Sequence, residues 1–348
     1  MKSLYATLQI FADPGDQIAV IDSAGEWTWS EFLARIERFR TYWSDLRGRT
    51  VGLTIPADMN GLASLAAMDA LEVDLFLLDS QSPLSLLREY GTRFQWDETI
   101  TEFPNREPPL SSPRDAGKSP SVPGVSIVTS GTEGPPKVVQ HTWESLLRPV
   151  RRFQGGRDAR WVLAFRPHLY AGLQVIAQAL ANGGSMVAPV AEWTPEQLVQ
   201  FLARTQSTHA SATPSYWRRL TMFVSAEELR AIPLRQVTLG GEPVDQSLLD
   251  QLRVAFPAAR IAHIYATTEL GRCFSVTDGR AGFPAEWLRP GALPHVALDI
   301  RDGELWVRSV HGGRLRRVLA HQVPQSPPDN IGTSPTDDWV ATGDVVDL

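Results

Sequence analysis

The sequence predicts an α/β protein built on parallel sheets covered by helices. Short apolar runs such as VGLTI (51–55) and DLFLLD (74–79) read as buried strands, and GLASLAAMDAL (61–71) between them reads as a helix. That βαβ rhythm favours a parallel sheet. Two further runs, RQVTLGG (235–241) and RIAHIYATTE (260–269), end in glycine-rich or polar loops, where ligands sit in open α/β sheets.

The elements follow in order. Thr28-Trp29-Ser30-Glu31 reads as a capping box, in which hydroxyl and carboxylate satisfy the first helical N–H groups. Behind it Phe32, Ile36, Phe39, Trp43 and Leu46 recur at helical spacing. Residues 104–124, rich in Pro, Ser, Gly and charge, read as a surface loop or linker. GVSIVTS (124–130) and WVLAF (161–165) read as strands. AGLQVIAQALANGG (171–184) reads as an apolar helix ended by Asn-Gly-Gly, a C-cap signal, and SMVAPV returns as a strand. Thr194-Pro195 starts a helix with proline in its first turn. Ser225-Ala226-Glu227-Glu228 forms another capping box. VALDIRDGELWVRSV (296–310) alternates around Asp302-Gly303 and reads as a β-hairpin.

Composition narrows the class. The 348 residues suit one large domain or two ordinary ones, and 43% hydrophobic with 21% charged residues is the balance of a globular protein. A formal charge of −6 argues against nonspecific nucleic-acid binding. Cys273 stands alone, so no internal disulfide or cysteine metal cluster is expected. No stretch reaches the length of a signal peptide's apolar core or a membrane span. A cytoplasmic, enzyme-sized protein is the expectation.

The segment IVTSGTEGPPKVVQHT (127–142) combines the hydroxyl residues Thr129, Ser130 and Thr132 with two glycines, two prolines and Lys137. Glycine lets backbone approach a ligand closely, and successive N–H groups can form an anion nest. The loop is not a Walker A motif, since Gly131 and Gly134 are too close and valine follows the lysine. On composition alone it is either a polyphosphate grip or a solvated turn.

The loop resembles the signature [ST]-S-G-[ST]-[ST]-G-x-P-K of the adenylate-forming enzymes. That superfamily comprises acyl-CoA synthetases, firefly luciferase and the adenylation domains of nonribosomal peptide synthetases. The chain departs from it at Glu133. Further segments are similar to the family's motifs in the family's order. They are GEWTWSEFLARI (25–36), DALEVDLFLLDS (69–80), FRPHLYAGLQVIAQALANGGSMV (165–187), TLGGEPV (238–244), HIYATTELG (263–271), DGELWVRS (302–309) and DDWVATGD (337–344). Ala266 stands where the family usually has glycine. The resemblance implies a large domain spanning residues 1–348, with two helix-flanked β-sheets and a smaller β-barrel-like subdomain.

The resemblance also implies roles. Thr129, Ser130, Gly131, Thr132, Gly134 and Lys137 would hold the β- and γ-phosphates of ATP. Thr268 would donate to the α-phosphate, and Glu269 would hold Mg²⁺, whose preference for oxygen suits a carboxylate. Lys137, Thr268 and Glu269 would thus be the catalytic set. Tyr265 would stack on adenine, with Gly241, Glu242 and Pro243 on the base's other face. Asp344 would accept both ribose hydroxyls. His168 or Tyr170, with Gly240 and Gly271, would line the acid pocket. His141 is expected in polar packing and Cys273 as a small buried residue.

The implied reaction joins a carboxylic acid to ATP, giving acyl-AMP and pyrophosphate, as the first step of an acyl-CoA synthetase. Coenzyme A or a phosphopantetheine thiol is the expected acceptor. The alternatives are a stand-alone enzyme loading a carrier protein or an amine, and a catalytically silent module that binds nucleotide or acyl-AMP. FRPHLYAG lacks the aspartate that amino-acid-activating relatives use, so an acid without an α-amine is favoured. Arg166 and Arg272 either favour a second acidic group on that acid or are surface ion-pairing residues. The family's hinge and lysine-bearing small domain follow T-G-D, whereas the sequence ends at ATGDVVDL. A piece of a longer protein is the preferred explanation, and a separate partner domain the other.

Overall fold

The computed structural model describes residues 1–11, 16–94, 96–104, 123–129, 137–309, 314–315 and 339–346. These form sheets of eight, six and three strands. Most of the linker expected at 104–124 lies outside the described residues.

The six-stranded sheet runs Arg314–Leu315, Lys137–His141, Val125–Thr129, Asp74–Asp79, Thr50–Ile55, Glu98–Ile100. The last four are mutually parallel, as the βαβ rhythm predicts. Val51, Leu53, Leu75, Leu77 and Ile127 are almost wholly buried, which is why these strands read as continuous apolar runs. Helix Trp29–Tyr42 opens on the expected capping box, with Thr28 and Glu31 bonded reciprocally. Its Phe32, Ile36 and Phe39 join the main core, while Trp43 and Leu46 enter the same core from just beyond the helix.

The eight-stranded sheet runs Gly271–Val276, Arg260–Thr267, Gln236–Gly240, His209–Ala212, Arg160–Leu163, Ser185–Val187, Ile18–Asp22, Gly25–Thr28. The six inner strands are parallel and each edge strand is antiparallel to its neighbour. Helix Pro195–Arg204 begins at the Thr194 capping box. The Ser225 box forms too, but the helix behind it, Ala226–Leu229, is a single turn. Helix Tyr170–Leu180 ends as expected, with Gly183 at φ +70°.

The third sheet is antiparallel: Val296–Arg301, Glu304–Ser309, Val340–Val345. Asp302 and Gly303 both hold positive φ (52° and 81°) between its first two strands, the geometry of a tight primed turn. Leu298, Leu305 and Val307 share a small core with Phe274 and Val276 of the large sheet's edge strand. The small sheet is thereby fixed beside the carboxyl end of Arg260–Thr267.

Candidate nucleotide and acid site

The loop signature is held between two paired strands. Val125–Thr129 and Lys137–His141 are antiparallel, with Thr129 opposite Lys137. The two ends of the loop are therefore neighbours, and Lys137 is exposed at the start of its strand. Ser130, Gly131, Thr132 and Gly134 lie outside the described residues, as does the side chain of Thr129.

Thr268 and Glu269 occupy the tip of a hairpin. Strand Arg260–Thr267 turns there and returns as Gly271–Val276, with Thr267 opposite Gly271. The Leu270 N–H donates to Thr267 Oγ1 at 3.1 Å. Gly271 holds φ +70°, a conformation open to glycine. His141 crosses from the other sheet, and its Nε2 lies 2.8 Å from the Thr268 carbonyl. A carbonyl only accepts, so Nε2 carries the proton; Nδ1 lies 3.2 Å from Ser145 Oγ, which donates to the Thr142 carbonyl at 2.9 Å. Burial pushes the imidazole pKa down, against the opposing pull of the Thr268 carbonyl and Glu269.

Tyr170 stands beside this bridge, its ring 5.3 Å from that of His141. Its hydroxyl accepts from the Arg272 backbone N–H at 3.2 Å. With only 5% of its surface exposed, it supports the hairpin that carries Glu269. His168, two residues earlier, is also buried, and its Nδ1 has no hydrogen-bond partner among the described residues. Burial pushes its pKa down, while Asp79 pulls upward and Arg166 pushes downward. Arg166 itself pairs with Asp79 at 2.5 Å, joining the carboxyl ends of the two large sheets.

On the other side of the hairpin, Tyr265 and Phe274 are cross-strand partners stacked at 5.1 Å and 13°. One face of Tyr265 is thus covered by Phe274. The Tyr265 hydroxyl donates to Asp344 Oδ2 on the small sheet, and burial, then Asp344, push the phenol pKa up. Asp344 is exposed, and the preceding Gly343 N–H is held by Glu304 at 2.7 Å. Gly240 closes its strand, Gly241 holds φ +82°, and Pro243 is exposed. The Glu242 carboxylate accepts from the Ser215 N–H at 2.9 Å and Oγ at 2.6 Å. It caps helix Pro214–Phe223 from outside that helix.

Sequence reasoning left Phe274 and Ser215 unnamed. Alternation in GRCFSV points Phe274 to the Tyr265 side. Ser215 in the first turn after Thr213-Pro214 carries the signal of an N-terminal N–H available for capping.

A family model described as "AMP-binding enzyme" matches residues 65–313. The chain belongs to the AMP-binding enzyme family. It is 26% identical to the 4-coumarate--CoA ligase-like 4 of Oryza sativa subsp. japonica over 246 residues, covering 64% of this chain and 42% of that one. It is 29% identical to the p-hydroxybenzoic acid--AMP ligase FadD22 of Mycobacterium tuberculosis, covering 63% and 31%. The chain thus spans less than half the length of these relatives. An Escherichia coli MenE structure with bound OSB-AMS shares the fold at TM-score 0.70 and 20% identity, covering 97% of this chain and 74% of that one.

AMP-binding family enzymes use ATP and typically Mg²⁺. The residues present fit such a metal. Glu269 is half-buried at a hairpin tip, and among the described residues no three His, Cys, Asp or Glu side chains gather. Mg²⁺ is commonly held by one or two carboxylates plus substrate phosphates, so a single carboxylate is the donor set expected. Among the described residues no helix is long and apolar enough to cross a membrane.

Proposed function

We propose that this chain activates a carboxylic acid with ATP, forming acyl-AMP and releasing pyrophosphate, as the first half-reaction of an acyl-CoA synthetase. The observation that carries the reading is the meeting of Tyr265 and Asp344. An aromatic face and an exposed carboxylate, from two different sheets, converge beside the Thr268–Glu269 hairpin. That is the donor and acceptor set for adenine and ribose next to groups suited to phosphate.

The chemistry needs no side-chain nucleophile. A carboxylate oxygen of the acid bonds to the α-phosphorus. The bond from that phosphorus to the bridging oxygen breaks, and its electron pair leaves with pyrophosphate. Both reactants are anions, so positioning and charge compensation supply the catalysis. Lys137, with Ser130, Gly131, Thr132 and Gly134, grips the β- and γ-phosphates. Thr268 donates to the α-phosphate, and Glu269 would hold Mg²⁺, which would supply charge neutralisation to the phosphates. Gly241 and Pro243 supply backbone to the base. Gly240 and Gly271 leave room for the acid near His168.

The acid carries no α-amine, since FRPHLYAG has no aspartate to pair one. The acceptor is the thiol of coenzyme A or of phosphopantetheine on a carrier protein. The relatives' names, a CoA ligase-like protein and an acid–AMP ligase, support either. A lysine-bearing small domain, in the same protein or a separate one, completes the site, and the reaction is cytoplasmic.

The test is acid-dependent pyrophosphate release by the 348-residue chain, with calorimetry of ATP and of acyl-sulfamoyl adenosines. Expected are tight binding of the sulfamoyl adenosine and slow, acid-dependent release that Glu269→Gln abolishes. Tight binding with no release for any acid would favour the silent binding module. A folded chain that binds neither ligand would end the reading.

A further inference from the structure

Two arginines flank the acid side of the site, and the structure separates them. Arg166 is neutralised, its Nη1 lying 2.5 Å from Asp79 Oδ2. Arg272 is half-buried on strand Gly271–Val276, three residues after Glu269, and no ion pair to it is found among the described residues. Burial, and then Arg151, push the Arg272 pKa down.

A half-buried cation is an unfavourable arrangement unless an anion completes it. The position is fixed rather than floppy. The Arg272 N–H is anchored on the Tyr170 hydroxyl at 3.2 Å, and its cross-strand partner is the small Ala266. A guanidinium on the strand that returns from the Glu269 hairpin, with its backbone bonded to Tyr170, offers two parallel N–H donors to a planar anion.

We infer that Arg272 reads a second acidic group on the acid, so that the preferred substrate is a dicarboxylic acid. The inference rests on the adenylation reading and deepens it. One carboxylate reacts at the α-phosphate beside Thr268, and the other stays ionised against the Arg272 guanidinium. No bond to this second group forms or breaks.

Matched sulfamoyl adenosines test it: benzoyl against 3-carboxybenzoyl, and hexanoyl against 5-carboxypentanoyl, measured by calorimetry on the whole chain. The carboxylated partner of at least one pair is expected to bind about tenfold tighter or more, the scale of a charge-assisted bidentate contact. Arg272→Gln is expected to bring that ratio close to one while the uncharged analogue binds as before. Arg272→Lys retains part of the preference, and Arg166→Gln leaves it intact. Equal binding within both pairs by the unaltered protein overturns the inference while leaving adenylation standing. A preference that survives Arg272→Gln also overturns it, as does a variant whose only change is a lower melting temperature. Failure of all four analogues to bind overturns the adenylation reading itself.

Discussion

The His141 imidazole donates to the Thr268 carbonyl at 2.8 Å, across 127 residues of sequence. His141 ends the strand that Lys137 begins, so one hydrogen bond couples the strand leaving the loop signature to the hairpin carrying Glu269. His141→Ala removes a buried bond and orphans its partner, a loss of about 1–3 kcal/mol. Thermal unfolding is expected to fall accordingly, and calorimetry to show weaker ATP binding in Mg²⁺. An unchanged ATP affinity in the folded variant would remove the coupling role.

Mild acid should loosen the fold through His209. Burial, helped by Arg235, pushes its pKa down to about 4, and it stacks on Trp161 at 4.6 Å. The unfolded chain binds the proton near pH 6.5 while the folded one resists, so stability is full above about 6.5 and falls toward pH 4, by up to about 1.4 kcal/mol per unit. Denaturant midpoints between pH 7 and 4.5 check this. His209→Gln should flatten the slope; an unchanged slope would assign it elsewhere.

The Tyr265–Asp344 pair makes a graded prediction for nucleoside affinity. Asp344→Asn keeps the shape but loses the ionised acceptor, and should weaken ATP and sulfamoyl-adenosine binding about tenfold, as for charged hydrogen bonds. Tyr265→Ala removes the ring face and should cost at least as much. Tyr265→Phe keeps the stack on Phe274 and should cost least. Calorimetry giving Phe the largest loss would contradict this order.

Two glycines separate conformation from space. At Gly241 an added Cβ would meet nothing nearer than Thr213 Cγ2 at 3.8 Å, but φ is +82°, so Gly241→Ala should cost about 1–2 kcal/mol through backbone strain alone. At Gly183, φ is +70° and the Cβ would lie 2.6 Å from Phe11 Cε1. Gly183→Ala should therefore be the more damaging in thermal melts.

Local signals were legible in the sequence because they act within one turn. The boxes at Thr28 and Ser225 both form, the helix expected at Thr194-Pro195 begins there, and the Asp302-Gly303 turn sits where alternation predicts it. Pairing across the chain was not legible. Strand His209–Ala212, with two small alanines and a serine, carries too little apolar pattern to announce itself, yet lies near the middle of the large sheet. The site divides the same way. Spacing and motif point to Tyr265, Glu269 and Asp344. That Tyr170 supports the Arg272 backbone, and that Glu242 caps the helix at Ser215, depends on contacts 102 and 27 residues apart, which no local pattern encodes.

Strand Ile18–Asp22 has its parallel neighbour at Ser185–Val187, and Ser185 Oγ bonds the Ile18 carbonyl 167 residues earlier. On the ribosome this strand emerges well before Ser185–Val187, with the hairpin partner Gly25–Thr28 beside it, and a lone hairpin is marginal in water. Its parallel edge stays unpaired until that later strand follows. Closure over so long a loop is slow more than it is costly. Of all the seams in the eight-stranded sheet this one spans the longest stretch of sequence, and the apolar IAVI segment must be kept from wrong partners until it closes.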